Sequence, residues 1–342
     1  MAFTIRISGH AGPVTVELGQ SILDASMAQG GPFPYSCRAG NCGTCKCRLV
    51  SGEVEMTPYS EFALSDAERA RGLVLACRAV PWSDCEIALL GADDQVVHPE
   101  RDMRCRIAAI DALTHDIRRV ELVIESGGPF TFSPGQYAEV AFAGLPARDY
   151  SMASQPDEDR LRFYIRLIPG GTVGAYLASR AAVGATVRVK GPYGSAFLRE
   201  ERRTPLLAIA GGSGLAPIQA IVDRAVALGW EQPIHVYFGA RAARDLYLLD
   251  HFERLVAARG PAFRFTPVLS EPEGATAYRT GLVTDAVRAD LCDLDGFTAY
   301  LAGPPPMIEA AERLLPGLGI DAADIHADAF YTTHEMDKDA AE

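Results

Sequence analysis

The chain has 342 residues, 48% of them hydrophobic and 22% charged, which is an ordinary globular composition and long enough for two or three domains. Its formal charge of −12 excludes the electrostatic footprint of a nucleic-acid binder and makes anionic membrane surfaces poor partners. The acid is uneven, at −4 over residues 1–98, +2 over 99–199 and −10 over 200–342; a slightly basic middle suits an anionic cofactor held at the centre, and plain solubility explains it equally well.

The first residues, Met1-Ala2-Phe3-Thr4-Ile5-Arg6-Ile7, alternate like a strand and lack a signal-peptide pattern. No apolar run is long enough for a membrane span, so a cytoplasmic, membrane-free protein is expected. Five of the eight cysteines lie between residues 37 and 77. In a reducing compartment these point to metal rather than to disulfides. Cys37, Cys42, Cys45 and Cys77 are spaced C-x4-C-x2-C and then, after 31 residues, C. This is the plant-type spacing for a [2Fe–2S] cluster, in which four thiolates converge on two irons. Three come from one small glycine-containing loop whose amides can turn toward the sulfides. The fourth follows Leu73-Val74-Leu75-Ala76, an expected strand. A zinc site is the competing reading, but zinc usually takes two close-spaced ligand couples and Cys77 offers only Cys85 nearby. Cys47 reads as a buried thiol, and Cys85, Cys105 and Cys292 as packed apolar residues.

After a charged, aperiodic boundary near Gly91–Met103, residues 98–200 read as short strands with Gly/Pro turns: Arg118–Ile124, Tyr137–Phe142, Leu161–Leu167 and Thr186–Val189. That pattern suits a small antiparallel barrel. Arg148-Asp149-Tyr150-Ser151 follows a strand and a proline turn. Arg166 then leads to Gly170-Gly171-Thr172-Val173 before an expected helix, whose bare N-terminal amides are a ready phosphate site. Gly191-Pro192-Tyr193-Gly194 closes the block.

A second boundary is expected near Arg199–Thr204. From residue 204 onward, strands alternate with helices: Leu206–Ile209, Pro217–Leu228, Ile234–Phe238 and Leu246–Ala257. This is the rhythm of a parallel, doubly wound sheet. The first strand runs into Gly211-Gly212-Ser213-Gly214, where glycines allow close approach of a pyrophosphate to a helix start. Tyr237–Arg241 ends the second strand on the ligand-binding side. The third ends at Ser270-Glu271, and a fourth runs through Tyr300-Leu301-Ala302-Gly303-Pro304.

These motifs carry a resemblance over roughly residues 3–333. Tyr35 to Cys45 resembles the cluster loop of plant-type ferredoxin domains, which implies an N-terminal β-grasp domain. Arg148-x-Tyr150-Ser151, the G-G-x-G-x-x-P loop from Gly211 to Pro217, and Gly303-Pro304-Pro305-x-Met307 resemble the ferredoxin–NADP reductase superfamily. The resemblance implies that Arg148 pairs with the FAD pyrophosphate, that Tyr150 stacks on the isoalloxazine, and that Ser151 bonds flavin N5. It also implies FAD rather than FMN, because the ferredoxin domain comes first, and an aromatic over the flavin, for which Phe330 is the candidate. Ala302 stands where many members carry a cysteine beside the nicotinamide, which puts the rate of hydride transfer in question. In NADPH-using relatives an arginine takes the 2′-phosphate where Glu271 stands here; Glu271 would repel that phosphate and accept ribose hydroxyls, so NADH is expected, with Arg241 and Arg244 as opposing cations.

The expected domains are 1–97 (cluster), 98–200 (FAD) and 201–335 (NAD), with an acidic tail at 336–342. As a whole the chain is similar to reductase components of bacterial multicomponent oxygenases, and most to those of Rieske-type aromatic-ring dioxygenases. This implies a monomer that passes electrons from NADH through FAD and the cluster to a terminal oxygenase. A di-iron monooxygenase or a deoxysugar dehydratase are alternative partners, and a redox carrier or sensor is the alternative class; a carrier needs no nicotinamide site.

Overall fold

The computed structural model describes residues 2–8, 10, 12–31, 33–35, 38–40, 43–60, 63–64, 66–90, 96 and 98–331. These fall into two compact units, one N-terminal and one spanning His98–Tyr331. The cluster residues Cys37 and Cys42, and the proposed acidic tail 336–342, lie outside the described residues.

The N-terminal unit is built from β1 (Ala2–Ile7), β2 (Val14–Glu17), α1 (Ile22–Ala28), β3 (Lys46–Ser51), β4 (Val54–Met56), α2 (Asp66–Ala70), β5 (Leu73–Leu75), β6 (Ala79–Pro81) and β7 (Cys85–Leu89). Its main sheet runs β2-β1-β7-β3-β5, and β4 pairs with β6 apart from it. The β1–β7 pair is parallel and the other pairs of the main sheet are antiparallel. This is the β-grasp arrangement. Alternation along β1 buries Ile5 and Ile7 under α1, which contributes Ile22, Leu23 and Ala25 to the same core. Ser21 caps α1, its hydroxyl accepting from the Asp24 amide at 3.1 Å. The Leu23 amide donates to Ala76 O at 2.9 Å. The helix start is thereby tied to the residue immediately before Cys77.

The second unit opens with six antiparallel strands: β8 (Arg101–Ala112), β9 (Ile117–Ser126), β10 (Tyr137–Phe142), β11 (Arg148–Ser151), β12 (Leu161–Arg166) and, after α3 (Thr172–Ser179), β13 (Thr186–Tyr193). The order is β11-β10-β13-β8-β9-β12. A single bridge, Met152 to Phe163, joins the two edges and nearly closes the sheet. Near-closure removes the edge problem of an open antiparallel sheet. Its interior is filled by Met103, Ile107, Val120, Leu122, Val140, Phe142, Phe163 and Val189.

The chain continues as β14 (Leu206–Gly211), α4 (Leu215–Ala227), β15 (Ile234–Ala240), α5 (Leu249–Arg259), β16 (Phe263–Leu269), β17 (Arg279–Thr280), α6 (Val283–Asp290), β18 (Thr298–Gly303), α7 (Pro305–Leu314) and β19 (Ile325–Ala329). All pairings are parallel, in the order β17-β16-β15-β14-β18-β19. Central β14 is buried at every position because both faces are covered. Leu206, Ala208 and Ala210 face α4 and α5, while Leu207 and Ile209 face α6 and α7. The sheet is doubly wound, and its winding reverses between β14 and β18.

Three expectations are corrected. The segment Gly91–Met103, expected to be an aperiodic boundary, ends inside β8, whose buried Met103, Cys105 and Ile107 do alternate. The helix expected over Leu246–Ala257 begins at Leu249, because a 3-10 turn at Ala243–Asp245 precedes it. Cys292 is exposed rather than packed, whereas Cys47, Cys85 and Cys105 are buried as expected.

Phe252 is fully buried and stacks on Phe265 with centroids 4.4 Å apart. Phe252→Ala should lower the unfolding free energy of this unit by about 3–5 kcal/mol. A urea titration of the variant checks this; a loss under about 1 kcal/mol would show that the α5 face adds little to the core.

Candidate functional site

The cleft at the carboxyl ends of the parallel strands is where ligands bind in such sheets. It holds about 230 Å³ and is lined by Gly211 and Gly212 at the end of β14, Arg241 just after β15, Ser270 after β16, and Pro304 and Met307 after β18. Two glycines are required by contact. A Cβ on Gly214 would lie 2.1 Å from Ala302 O. Gly303 has φ +145°, and a Cβ there would lie 2.9 Å from Gly211 O. The β14 loop and the β18 loop therefore touch backbone to backbone, beside the start of α4, which carries no side-chain cap. Ser213 lies inside that loop, in a short 3-10 turn before α4.

Arg166, at the end of β12, also enters this cleft. Its Nε donates to Asp116 Oδ2 at 3.1 Å. Glu271 is exposed, and the cleft is lined instead by its neighbour Ser270. The Glu271 amide donates to Arg241 O at 2.8 Å, which fixes its position next to that arginine.

On the barrel side, β11 carries Arg148, Tyr150 and Ser151, in register with Val140, Ala138 and Tyr137 of β10. Arg148 donates to the adjacent Ala147 carbonyl at 2.8 Å and has no carboxylate ion-pair partner among the described residues. It is a cation available to a phosphate. Gly171 precedes α3 with no side-chain cap, so the amides of Thr172 and Val173 are likewise available, while the Val173 side chain is buried in the barrel. A half-buried tyrosine, an uncommitted arginine and an uncapped helix start fit a flavin with its pyrophosphate. Burial pushes the Tyr150 hydroxyl up to about 12, so it stays a neutral phenol.

Ser151 meets a group that the sequence did not reveal. Its hydroxyl donates to Asp328 Oδ2 at 2.7 Å across 177 residues. Burial pushes the Asp328 carboxyl up to about 6; the bond from Ser151 acts against this, and nearby Asp149 adds to it. Phe330, two residues on, donates its amide to Gly303 O at 2.8 Å and packs against the core on the α4 side. Asp328 and Phe330 share one face of an extended segment. Barrel serine, C-terminal carboxylate, C-terminal aromatic and the Gly303 loop are thus drawn together. Ala302 is buried in β18, beside the glycine loop.

In the N-terminal unit, Cys45 and Cys77 are buried at the ends of facing segments. The Cys77 amide points at Cys45 Sγ at 3.5 Å. Arg78 donates to the Ala39 carbonyl at 2.5 Å, bracing the loop between the ligand cysteines. Arg38, Gly40 and Gly43 all have positive φ, at 54°, 80° and 70°. Such left-handed backbone turns successive amides to one side, as thiolate and sulfide acceptors need. A Cys45 sulfur aimed at by the Cys77 amide, beside backbone bent this way, fits cluster ligation by these two cysteines. Cys47 sits on β3, its thiol raised by burial and donating to Val74 O at 3.7 Å.

Residues 5–81 match the 2Fe-2S iron-sulfur cluster binding domain family, 104–197 the oxidoreductase FAD-binding domain family and 208–313 the oxidoreductase NAD-binding domain family. The chain is 42% identical over 318 residues to the ferredoxin–NAD(P)(+) reductase component of the naphthalene 1,2-dioxygenase/salicylate 5-hydroxylase systems of Ralstonia sp, covering 93% of this chain and 95% of that one. It is 37% identical to the reductase component of a Gordonia propane 2-monooxygenase, over 96% and 98% of the two chains. Among solved structures, an Amycolatopsis cytochrome P450 reductase superposes with a TM-score of 0.75 at 37% identity, covering 96% of this chain and 98% of the other.

Because the Asp328 carboxyl titrates near pH 6, it is neutral below that value and an anion above it. The anion holds the Ser151 proton; the neutral acid does not require it. NADH-driven flavin reduction should therefore slow as pH rises through about 6, and Asp328→Asn should flatten the profile. Stopped-flow absorbance between pH 5 and 8 reads this directly. An unchanged profile in the variant would remove Asp328 from the proton chemistry.

Proposed function

The chain belongs to the family of FAD- and [2Fe–2S]-containing NAD(P)H reductase components of multicomponent oxygenases, and from that premise we propose that it oxidises NADH and delivers the electrons singly to a Rieske-type aromatic-ring dioxygenase. When bound, FAD would accept the electron pair of one hydride from NADH, and a [2Fe–2S] cluster would pass those electrons on one at a time. The protein's own residues set where this happens. The glycine loop and the α4 start hold the dinucleotide phosphates. Arg148 and the amides of Thr172 and Val173, at the helix start that Gly171 opens, would hold the flavin pyrophosphate. Tyr150 and Phe330 would flank the flavin ring, Ser151 would present its hydroxyl to N5, and Asp328 would hold or release the Ser151 proton. Gly303 and Pro304 shape the nicotinamide end.

The observation that carries the reading is the convergence of Ser151, Asp328, Phe330 and Gly303 at the edge of a dinucleotide cleft. The same chain carries a cysteine loop bent for a cluster. Preference for NADH rests on the position of Glu271 and on the state of the two arginines that opposed it. Arg241 is paired with Asp116 and Asp245, and Arg244 with Glu273 at 3.2 Å. The proposed divisions at 97, 200 and 335 follow the same reading, as does a terminal oxygenase partner; relatives that serve a naphthalene dioxygenase support the Rieske choice. Similarity to propane and phenol monooxygenase reductases keeps a di-iron partner as the second reading.

Two variants test the account. Cys77→Ser in FAD-loaded protein should keep NADH-driven flavin bleaching but cut cytochrome c reduction by about tenfold or more, since the one-electron outlet is lost. Equal cytochrome c rates would mean that electrons leave from the flavin. Glu271→Arg should raise kcat/KM for NADPH relative to NADH by about tenfold, the effect of replacing a repelling charge with an attracting one. A ratio that does not move would remove Glu271 from nucleotide selection.

A further inference from the structure

The turn between β8 and β9 belongs to the flavin-side barrel, yet its Asp116 lines the dinucleotide cleft. It is held there firmly. Thr114 Oγ1 donates to Asp116 Oδ1 at 2.9 Å, the Asp116 amide donates back to Thr114 Oγ1 at 3.2 Å, and the Leu167 amide donates to Asp116 O at 2.7 Å. The outer oxygen, Oδ2, accepts from both arginines of the cleft: Arg166 Nε at 3.1 Å and Arg241 Nη2 at 3.2 Å. Arg241 Nη2 also reaches Asp245 Oδ1 at 3.3 Å, and Asp245 Oδ2 is fixed by the Ala242 amide at 3.0 Å. Burial opposes the Asp116 charge, but the Thr114 hydroxyl and the Arg166 charge more than offset this and hold its carboxyl below the usual range. His115, Asp116 and Asp245 lie close enough to frame a cation. With Arg241 bonded to both carboxylates and Arg166 to one, that role is taken by guanidinium.

Two arginines and two carboxylates therefore cancel in the wall of the cleft. A pyrophosphate can still be held by backbone amides and the helix start, which need no net charge. A further phosphate dianion gains nothing from cations already neutralised, and it meets two fixed carboxylates. We propose that Asp116, supplied by the flavin-side turn, is a selectivity residue that with Asp245 neutralises Arg241 and Arg166 and so discriminates against the 2′-phosphate of NADPH. This rests on the cleft being the nicotinamide dinucleotide site, and it adds to Glu271 a determinant on a different element.

The test is Asp116→Asn in the FAD- and cluster-loaded protein. Asparagine keeps an oxygen that can accept from Thr114 and replaces the charged acceptor that faces the two arginines with a neutral NH2. Steady-state kcat and KM are measured for NADH and NADPH with ferricyanide as acceptor, at low and high salt. One charge across a partly solvated cleft is worth on the order of tenfold. The variant should raise kcat/KM for NADPH by about tenfold, through KM, and that for NADH by less than about threefold, with the gain shrinking at high salt. Flavin content should match wild type, and adding Arg241→Gln to Asp116→Asn should abolish the gain. Asp245→Asn provides a second route to the same shift if Asp116→Asn folds poorly. An NADPH/NADH ratio unchanged in both aspartate variants, or an equal fall with both dinucleotides, would overturn the proposal and leave Asp116 a structural brace. A wild-type protein that already favours NADPH would overturn the NADH preference stated above; the shift in ratio on Asp116→Asn is read separately and decides the role of Asp116.

Discussion

The hydrogen bond from Ser151 to Asp328 is the constraint on which the rest of the site depends. One partner ends the first edge of the barrel, and the other sits on the last strand of the parallel sheet. A buried carboxylate needs a donor, since an unpaired charge in such a place is costly. The pair therefore makes the register of the barrel edge and the path of the C-terminal strand answer to each other. The Phe330–Gly303 amide bond lies two residues beyond it. Barrel edge and C-terminal strand are brought to one line by these contacts, and the charge on Asp328 then decides whether the Ser151 proton is held.

Close backbone contact does the corresponding work in the nucleotide cleft. Gly214 against Ala302 and Gly303 against Gly211 leave no room for a side chain. The two loops consequently present amides rather than side chains to an anion. Amides can hold a phosphate without a net positive wall, and the cleft's arginines are paired with Asp116 and Asp245. An acidic chain that binds an anionic dinucleotide is thereby explained without a basic patch.

Much of this was legible in the sequence. The cysteine spacing, the Arg148-to-Ser151 motif and the run from Leu206 into Gly211 are local patterns, and local patterns determine local structure. The long strand β8 was missed because its buried positions Met103, Cys105 and Ile107 are interleaved with arginines and read as a charged linker. The start of α5 was misplaced because Asp245 caps a 3-10 turn through the Ala242 amide, which shifts the helix to Leu249. Asp328 and Asp116 were invisible for a different reason. Their partners lie 177, 50 and 125 residues away, and no spacing rule reaches that far. Glu271 was located correctly beside Arg241, but the carboxylates that engage that arginine come from another strand turn and from the 3-10 segment. Sequence reasoning thus proposed groups to touch the cofactors, and the long-range partners Asp116 and Asp328 lay beyond its reach.

The central claim is that one chain carries electrons from NADH through flavin to a [2Fe–2S] cluster on Cys37, Cys42, Cys45 and Cys77. The most direct measurement is a stepwise anaerobic titration of the iron- and FAD-replete protein with NADH, followed by visible absorbance and EPR together. The account predicts bleaching of both the flavin and the iron–sulfur bands, with a stoichiometric signal from a reduced [2Fe–2S] centre that is lost in Cys77→Ser. Flavin bleaching with no cluster signal in protein of full iron content would contradict it.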